Sequence, residues 1–128
     1  SLYNKFRIPL VLYAPKLLKP RQIDYVVSQL DIVPTLYNLV GLNVPYSALG
    51  RDMLDASRPQ ERAALVSEGV NIGLITQDGA LRHTRQAILS VEKRTEKFDE
   101  KKAEDTLLSL DKTAYVLLKN NTWYKDEQ

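Results

Sequence analysis

Apolar positions follow three different rhythms along this chain, and each rhythm predicts a different element. Residues 8–14 are crowded with Ile8, Leu10, Val11 and Leu12 without polar alternation. That is the pattern of a strand buried on both faces, as in a parallel sheet. Such a strand needs neighbours on both sides, and the other legible strands lie far downstream. The reading therefore expects residues 8–14 to have partners outside this sequence, and unpaired edges there would favour a homodimer or strand exchange.

Pro15 and Pro20 then predict an extended connection, because each fixes φ and disfavours helix in the residue before it. Ser28 offers an N-cap oxygen for a helix over residues 29–40, with Pro34 in its early turns and Gly41 where a left-handed terminal residue is wanted. Leu30, Val33, Tyr37 and Val40 mark one apolar face and Ile32, Leu36 and Leu39 a second, leaving Asp31, Thr35 and Asn38 as the polar stripe. Such a helix is expected to be largely buried. Residues 43–59 are rich in turn formers, and Gly50-Arg51-Asp52-Met53-Leu54 is too short for more than a helical turn or a docking loop.

From residue 63 the rhythm shortens. Strands are predicted at 64–68, 71–76, 80–84 and 87–91, with a type I′ turn at Asp78-Gly79, so an antiparallel sheet follows. Residues 92–105 carry charges of both signs and read as a solvated linker or frayed helix start. Ala103, Leu107, Leu110, Ala114 and Leu117 recur at helical spacing, predicting a last amphipathic helix that lies across the sheet and ends near Asn120-Asn121.

Composition changes this picture little. The length of 128 residues and 44% hydrophobic content suit one compact domain with a real core. Eighteen basic and 16 acidic side chains leave a net charge of +2, which builds no single-sign field for nucleic acid. With no Cys, disulfides, thiolate metal sites and a Cys nucleophile are excluded, while the compartment stays open. The best apolar run, residues 8–18, is broken by Pro9, Pro15 and Lys16, so no membrane span is expected and the chain as given should be soluble. The chain starts at Ser1 and its only Met is Met53, which raises the expectation of an upstream part.

Candidate chemistry is sparse. His83 is the only histidine, its sequence neighbours supply no carboxylate, and it reads as a surface or hairpin-end residue; a general-base role would need a carboxylate folded against it. Asp24 and Asp31 could pair for metal or acid-base work, but Asp31 in a first helical turn is better explained by the helix dipole. Arg82, Arg85, Lys93 and Arg94 could form a basic patch with Tyr115 or Trp123 for stacking, but Glu92, Glu96, Asp99 and Glu100 interrupt it. As a nucleic-acid binder it would show steeply salt-dependent affinity. Ser67-Glu68-Gly69 lacks the paired glycines of a nucleophile elbow, and no phosphate loop occurs. No catalytic, cofactor-binding or metal residue is assigned to this chain.

Arg7-Ile8-Pro9-Leu10-Val11-Leu12-Tyr13-Ala14-Pro15, then Ser28-Gln29-Leu30-Asp31-Ile32-Val33-Pro34-Thr35-Leu36, Gly41-Leu42 and Gly50-Arg51-Asp52-Met53-Leu54, come in the order and spacing of a known pattern. Together they resemble the C-terminal end of the sulfatase family of the alkaline phosphatase superfamily, most like its membrane-anchored phosphoglycerol transferase and lipoteichoic acid synthase branch. The resemblance implies an α/β fold that is the C-terminal portion of an alkaline-phosphatase-like protein. Residues 1–60 would end the α/β core, with a buried strand and helix, and residues 61–128 would form a small antiparallel sheet subdomain with a packed C-terminal helix.

The family transfers or hydrolyses sulfate or phosphate esters through a Thr, Ser or formylglycine nucleophile at a divalent metal: Mn, Mg, Ca or Zn. Its nucleophile and Asp-His-Gly metal motif lie upstream of the Arg-Ile-Pro strand, and no Asp-His pair occurs here. The implied parent is an enzyme and this piece alone is not, its partner being the upstream catalytic part. The parent would sit in a bacterial inner membrane, reached only through that upstream part, with this piece periplasmic or extracellular. A non-catalytic binding or interaction module derived from the family is the alternative.

Overall fold

A computed structural model of the chain describes residues 1–43 and 49–122. It is a mixed α and β structure built on a four-stranded antiparallel sheet with a long C-terminal helix. The strands are β1 (Ala63–Glu68), β2 (Asn71–Thr76), β3 (Gly79–His83) and β4 (Ile88–Lys93), and they pair in chain order as a meander. All four lie within about a residue of their predicted places, except that β4 runs to Lys93, into the stretch expected to be linker.

Period-two alternation sends the two faces of this sheet to different partners. Ile72, Leu74 and Leu81 face helix α3 (Glu100–Lys119) and form the main core with Phe98, Ala103 and Leu107. Gly73, Ile75 and Ala80 face the other way, where Leu2 of the short helix α1 (Leu2–Lys5) packs with Tyr3, Phe6, Ala64 and Val66. The helix α3 is capped by Asp99, whose carboxylate accepts from the Lys102 amide at 3.0 Å. It closes at Asn120 with Asn121 in the left-handed region, as the two asparagines predict. Its stripe crosses the sheet as expected, with Ala103 and Leu107 buried and Leu110 packed at the margin of the core.

The turns differ from the sequence reading in an instructive way. Strands β2 and β3 are joined through Gln77 and Asp78, and neither Asp78 nor Gly79 has positive φ, so the expected type I′ turn is absent. Thr76 takes over: its hydroxyl donates to the Gly79 carbonyl at 2.8 Å and accepts from the Gly79 amide at 3.2 Å. Gly79 is needed for packing instead, since a Cβ there would lie 2.4 Å from the Phe98 ring. The left-handed glycine of the hairpin turns is Gly69, at φ 60°, opening the turn between β1 and β2, while Gly41 at φ 71° follows the helix as expected.

Two expectations for the N-terminal half are corrected. Residues 8–14 form no strand: they run as irregular extended chain with Val11 and Tyr13 85% and 88% exposed. A doubly buried strand needs hydrogen-bonding neighbours on both edges, and none of the described strands supplies one. The helix predicted over 29–40 is a 3-10 turn (Gln29–Asp31) running into α2 (Ile32–Leu39), but it is not largely buried. Pro34 and Thr35 are buried, whereas Leu30, Val33, Leu36 and Val40 are exposed, because only the Thr35 side of the helix is covered.

Candidate functional site

The motif residues of the N-terminal half converge on Asp31. Ser28 and Asp31 form a reciprocal capping box at the start of the helix, in which the Asp31 carboxylate accepts from the Ser28 amide at 2.9 Å. The other Asp31 oxygen accepts from the Arg51 amide at 2.8 Å. One turn on, the Thr35 hydroxyl donates to the Asp31 carbonyl and accepts from the Met53 amide at 2.8 Å. Loop 50–54 is thereby laid along the helix, and Asn38 adds a bond to the Asp52 carboxylate at 2.8 Å. Of the two readings of residues 50–54, a helical turn or a docking loop, the structure shows the docking loop. Gly50 permits the close approach, for a Cβ there would stand 1.9 Å from the Leu30 carbonyl oxygen.

Beneath this junction lies Arg62, 4% exposed, just ahead of β1. One of its terminal nitrogens donates to the carbonyls of Asp52 and Asp55, and the other stands 3.6 Å from the Asp31 carboxylate. The guanidinium also stacks on Tyr25 at 4.9 Å from the ring centroid. Tyr25 in turn donates its hydroxyl to the Met53 carbonyl at 2.7 Å. Arg62 has no periodic or motif signal in the sequence, which is why reading the chain alone misses it.

Chemically the arrangement is a clip. Each Asp31 oxygen accepts from a backbone N–H beside the Arg62 cation, and the Thr35 hydroxyl is engaged as donor and acceptor, so these polar groups hold the loop to the helix. Asp24 does not join it; its carboxylate accepts from the Gln22 side chain at 2.7 Å. The imagined Asp24–Asp31 pair is therefore absent. Among the described residues no group of three or more His, Cys, Asp or Glu could hold a metal ion.

The second polar cluster overturns the surface reading of His83. The ring is 1% exposed and lies on the α3 face of the sheet, 2.9 Å from the Glu104 carboxylate. Its Nδ1 accepts from the Arg85 amide at 2.8 Å. Arg85 binds Asp111 of α3 through two nitrogens at 2.8 and 3.0 Å and reaches the Val70 carbonyl at 2.7 Å. Hydrogen bonding to Asp111 pushes the Arg85 guanidinium to even stronger basicity. Glu104 and Asp111 flank the Ala103-Leu107 stripe, and carboxylates bordering an apolar stripe are the sequence signal that could have placed them at the sheet.

The imagined basic patch is dispersed into separate pairs. Arg82 bonds Glu68 on the α1 face at 2.7 Å, Lys93 bonds Glu100 at 2.8 Å, and Arg94 stacks 3.4 Å over the Tyr3 ring. Tyr115 lies near Lys119, and Trp123 falls outside the described residues. Ser67-Glu68-Gly69 makes the β1–β2 hairpin, with Ser67 exposed on the strand. No described helix is long and apolar enough to cross a membrane. No family model, curated protein or solved structure matches the chain.

Proposed function

We propose that the chain is the C-terminal part of a sulfatase-like, metal-dependent ester hydrolase or phosphoglycerol/phosphoethanolamine-type transferase, where it completes an alkaline-phosphatase-like fold and borders the substrate cleft. It supplies no catalytic group itself. The observation that supports this reading is the mutual docking of the motif residues: Ser28, Asp31, Thr35 and Gly50 to Met53, distant in sequence, close on one another around a single carboxylate. A chance string of matching letters has no reason to interlock.

The apolar surface left by residues 8–14 and by Val33, Leu36 and Val40 is what an upstream α/β core would cover. In the parent, that upstream part would carry the nucleophile and a divalent metal, Mn, Mg, Ca or Zn, which activates it and stabilises charge on the ester oxygens. The parent would be anchored in a bacterial inner membrane through the upstream part, with this piece on the periplasmic or extracellular side. The same exposed apolar surface favours one second reading, a non-catalytic interaction module descended from that family.

The complete reading frame separates the two. An upstream Asp-His-Gly with a Thr or Ser nucleophile, and hydrolysis of 4-nitrophenyl sulfate or a phosphodiester by the full protein with one of those metals but not by residues 1–128 alone, is the expected result. A reading frame without those residues, or ester hydrolysis with about one metal per chain in residues 1–128 alone, would overturn the proposal.

A further inference from the structure

We propose that His83 is a proton-operated latch: neutral, it holds the β3–β4 turn against α3, and protonated, it releases the turn while keeping its grip on the helix. The latch is independent of the function proposed above. It rests on which ring nitrogen carries a proton. Because Nδ1 accepts from the Arg85 amide, the neutral ring must carry its hydrogen on Nε2, which donates to the Glu104 carboxylate. A second proton can go only to Nδ1. It would then face the Arg85 N–H across 2.8 Å, two donors pointing at each other, and that hydrogen bond is lost.

The turn is poised to respond. Arg85 sits at φ 73°, a conformation unfavourable for a residue with a Cβ, and the ring nitrogen is the acceptor for its amide. Within residues 84–87 the Thr84 amide donates to the Ala87 carbonyl at 3.0 Å, and the Thr84 hydroxyl accepts from the Ala87 amide at 3.1 Å and the Gln86 amide at 3.3 Å and donates to the Ala87 carbonyl at 3.3 Å, all bonds local to the turn. All four residues are exposed, so little apolar burial resists opening. Release of Arg85 also loosens its two bonds to Asp111 and its bond to the Val70 carbonyl, so three elements separate at one corner.

The charged groups around the ring are divided. From α3, Glu104 and, through Arg85, Asp111 favour the imidazolium, while Lys101 acts on Glu104 in the opposite sense. From the turn, the Arg85 guanidinium and amide oppose it. The paired positions on the flanking strands, Ile72 of β2 and Ile88 of β4, contribute no charge. Protonation therefore strengthens the bond to the helix and breaks the bond to the turn, which makes the ring a selector between two partners.

The test is nuclear magnetic resonance on residues 1–128 as the pH is lowered stepwise from 8 until the imidazole signals show a second ring proton. Imidazole 15N shifts at pH 8 should report the Nε2–H tautomer. As the ring takes up a proton, the protection factors of the Arg85 and Ala87 amides, corrected for intrinsic exchange, should fall about tenfold or more while the β2 amides stay protected. In His83→Gln, which has no titrating proton, Arg85 protection should no longer change with pH over this range. The Nδ1–H tautomer at pH 8, or unchanged Arg85 protection through the wild-type titration, would sink the idea. Both can be read in the wild type should the variant fail to fold.

Discussion

In the C-terminal half, Leu74, Leu81 and Leu107 are sealed between a helix and a sheet, whereas the deepest side chains among the described residues of 7–57 are Thr35 and Met53, held by a hydroxyl and a loop amide. One half is stabilised by apolar burial on two faces of a meander. The other is held in place by an aspartate, a threonine and a buried arginine, with Ile8, Leu10, Val11, Leu30, Val33, Leu36 and Val40 exposed. The difference teaches that hydrophobic content alone does not make a core: Ile8 to Val11 are as apolar as β2, but β2 has a strand on each edge and a layer on each face.

The contrast can be broken most severely at Leu107. Leu107→Ala should cost about 2 to 5 kcal/mol in urea unfolding, because a fully buried leucine leaves both its transfer energy and a cavity; a loss below about 1 kcal/mol would show that α3 is loosely seated. Asp31→Asn strands the Arg62 guanidinium at the centre of the clip and should cost about 3 kcal/mol there. Its signature is regional: limited proteolysis within residues 20–60 accelerates while amide exchange in β2 and β3 stays unchanged. Uniform destabilisation would mean that the two halves are one cooperative unit.

Gly50→Ala should push loop 50–54 off the helix, at about 1 to 3 kcal/mol, since the added methyl meets the Leu30 carbonyl. Faster peroxide oxidation of the now uncovered Met53 is the readout.

Acid should act on the N-terminal docking of α1. The Leu2 amide, donating at 2.6 Å, lowers the Glu92 carboxyl, and Lys5 followed by Arg82 lowers Glu68. Folded values below the unfolded ones mean that this support is complete above about pH 4.3 and lost as the pH falls through the lowered values. Loss of α1 contacts should therefore precede melting of the sheet; release at pH 6 would contradict the assignment. The smallest effect is expected at Val11→Ser, within about 0.5 kcal/mol, because the side chain is already in water.

Sequence alone was sufficient where structure depends on neighbours in the chain. The four strands, the Ser28 cap and the Asn120-Asn121 stop follow from alternation and capping within a few residues. It was insufficient where a partner comes from far away. The burial of His83 depends on Glu104 and Asp111 arriving from α3, and Arg62 acquires meaning only when Asp31 and loop 50–54 close over it. Gly79 shows the same limit in small: the sequence places it at positive φ in a type I′ turn, whereas the structure needs it only because a Cβ would meet the Phe98 ring. Residues 8–14 were misjudged because a doubly buried pattern states what a segment needs, and the described strands do not meet that need.

The chain-order pairing of the meander also sets a sequence of events in time. Each strand closes on the one just before it through a short turn, so loop-closure entropy is small and the sheet can zip without waiting for distant segments. Helix α1 is the opposite case: its bonds to Thr76 and Glu92 span 73 and 90 positions. The C-terminal half should thus assemble first and present a finished apolar face, onto which residues 1–6 fold last.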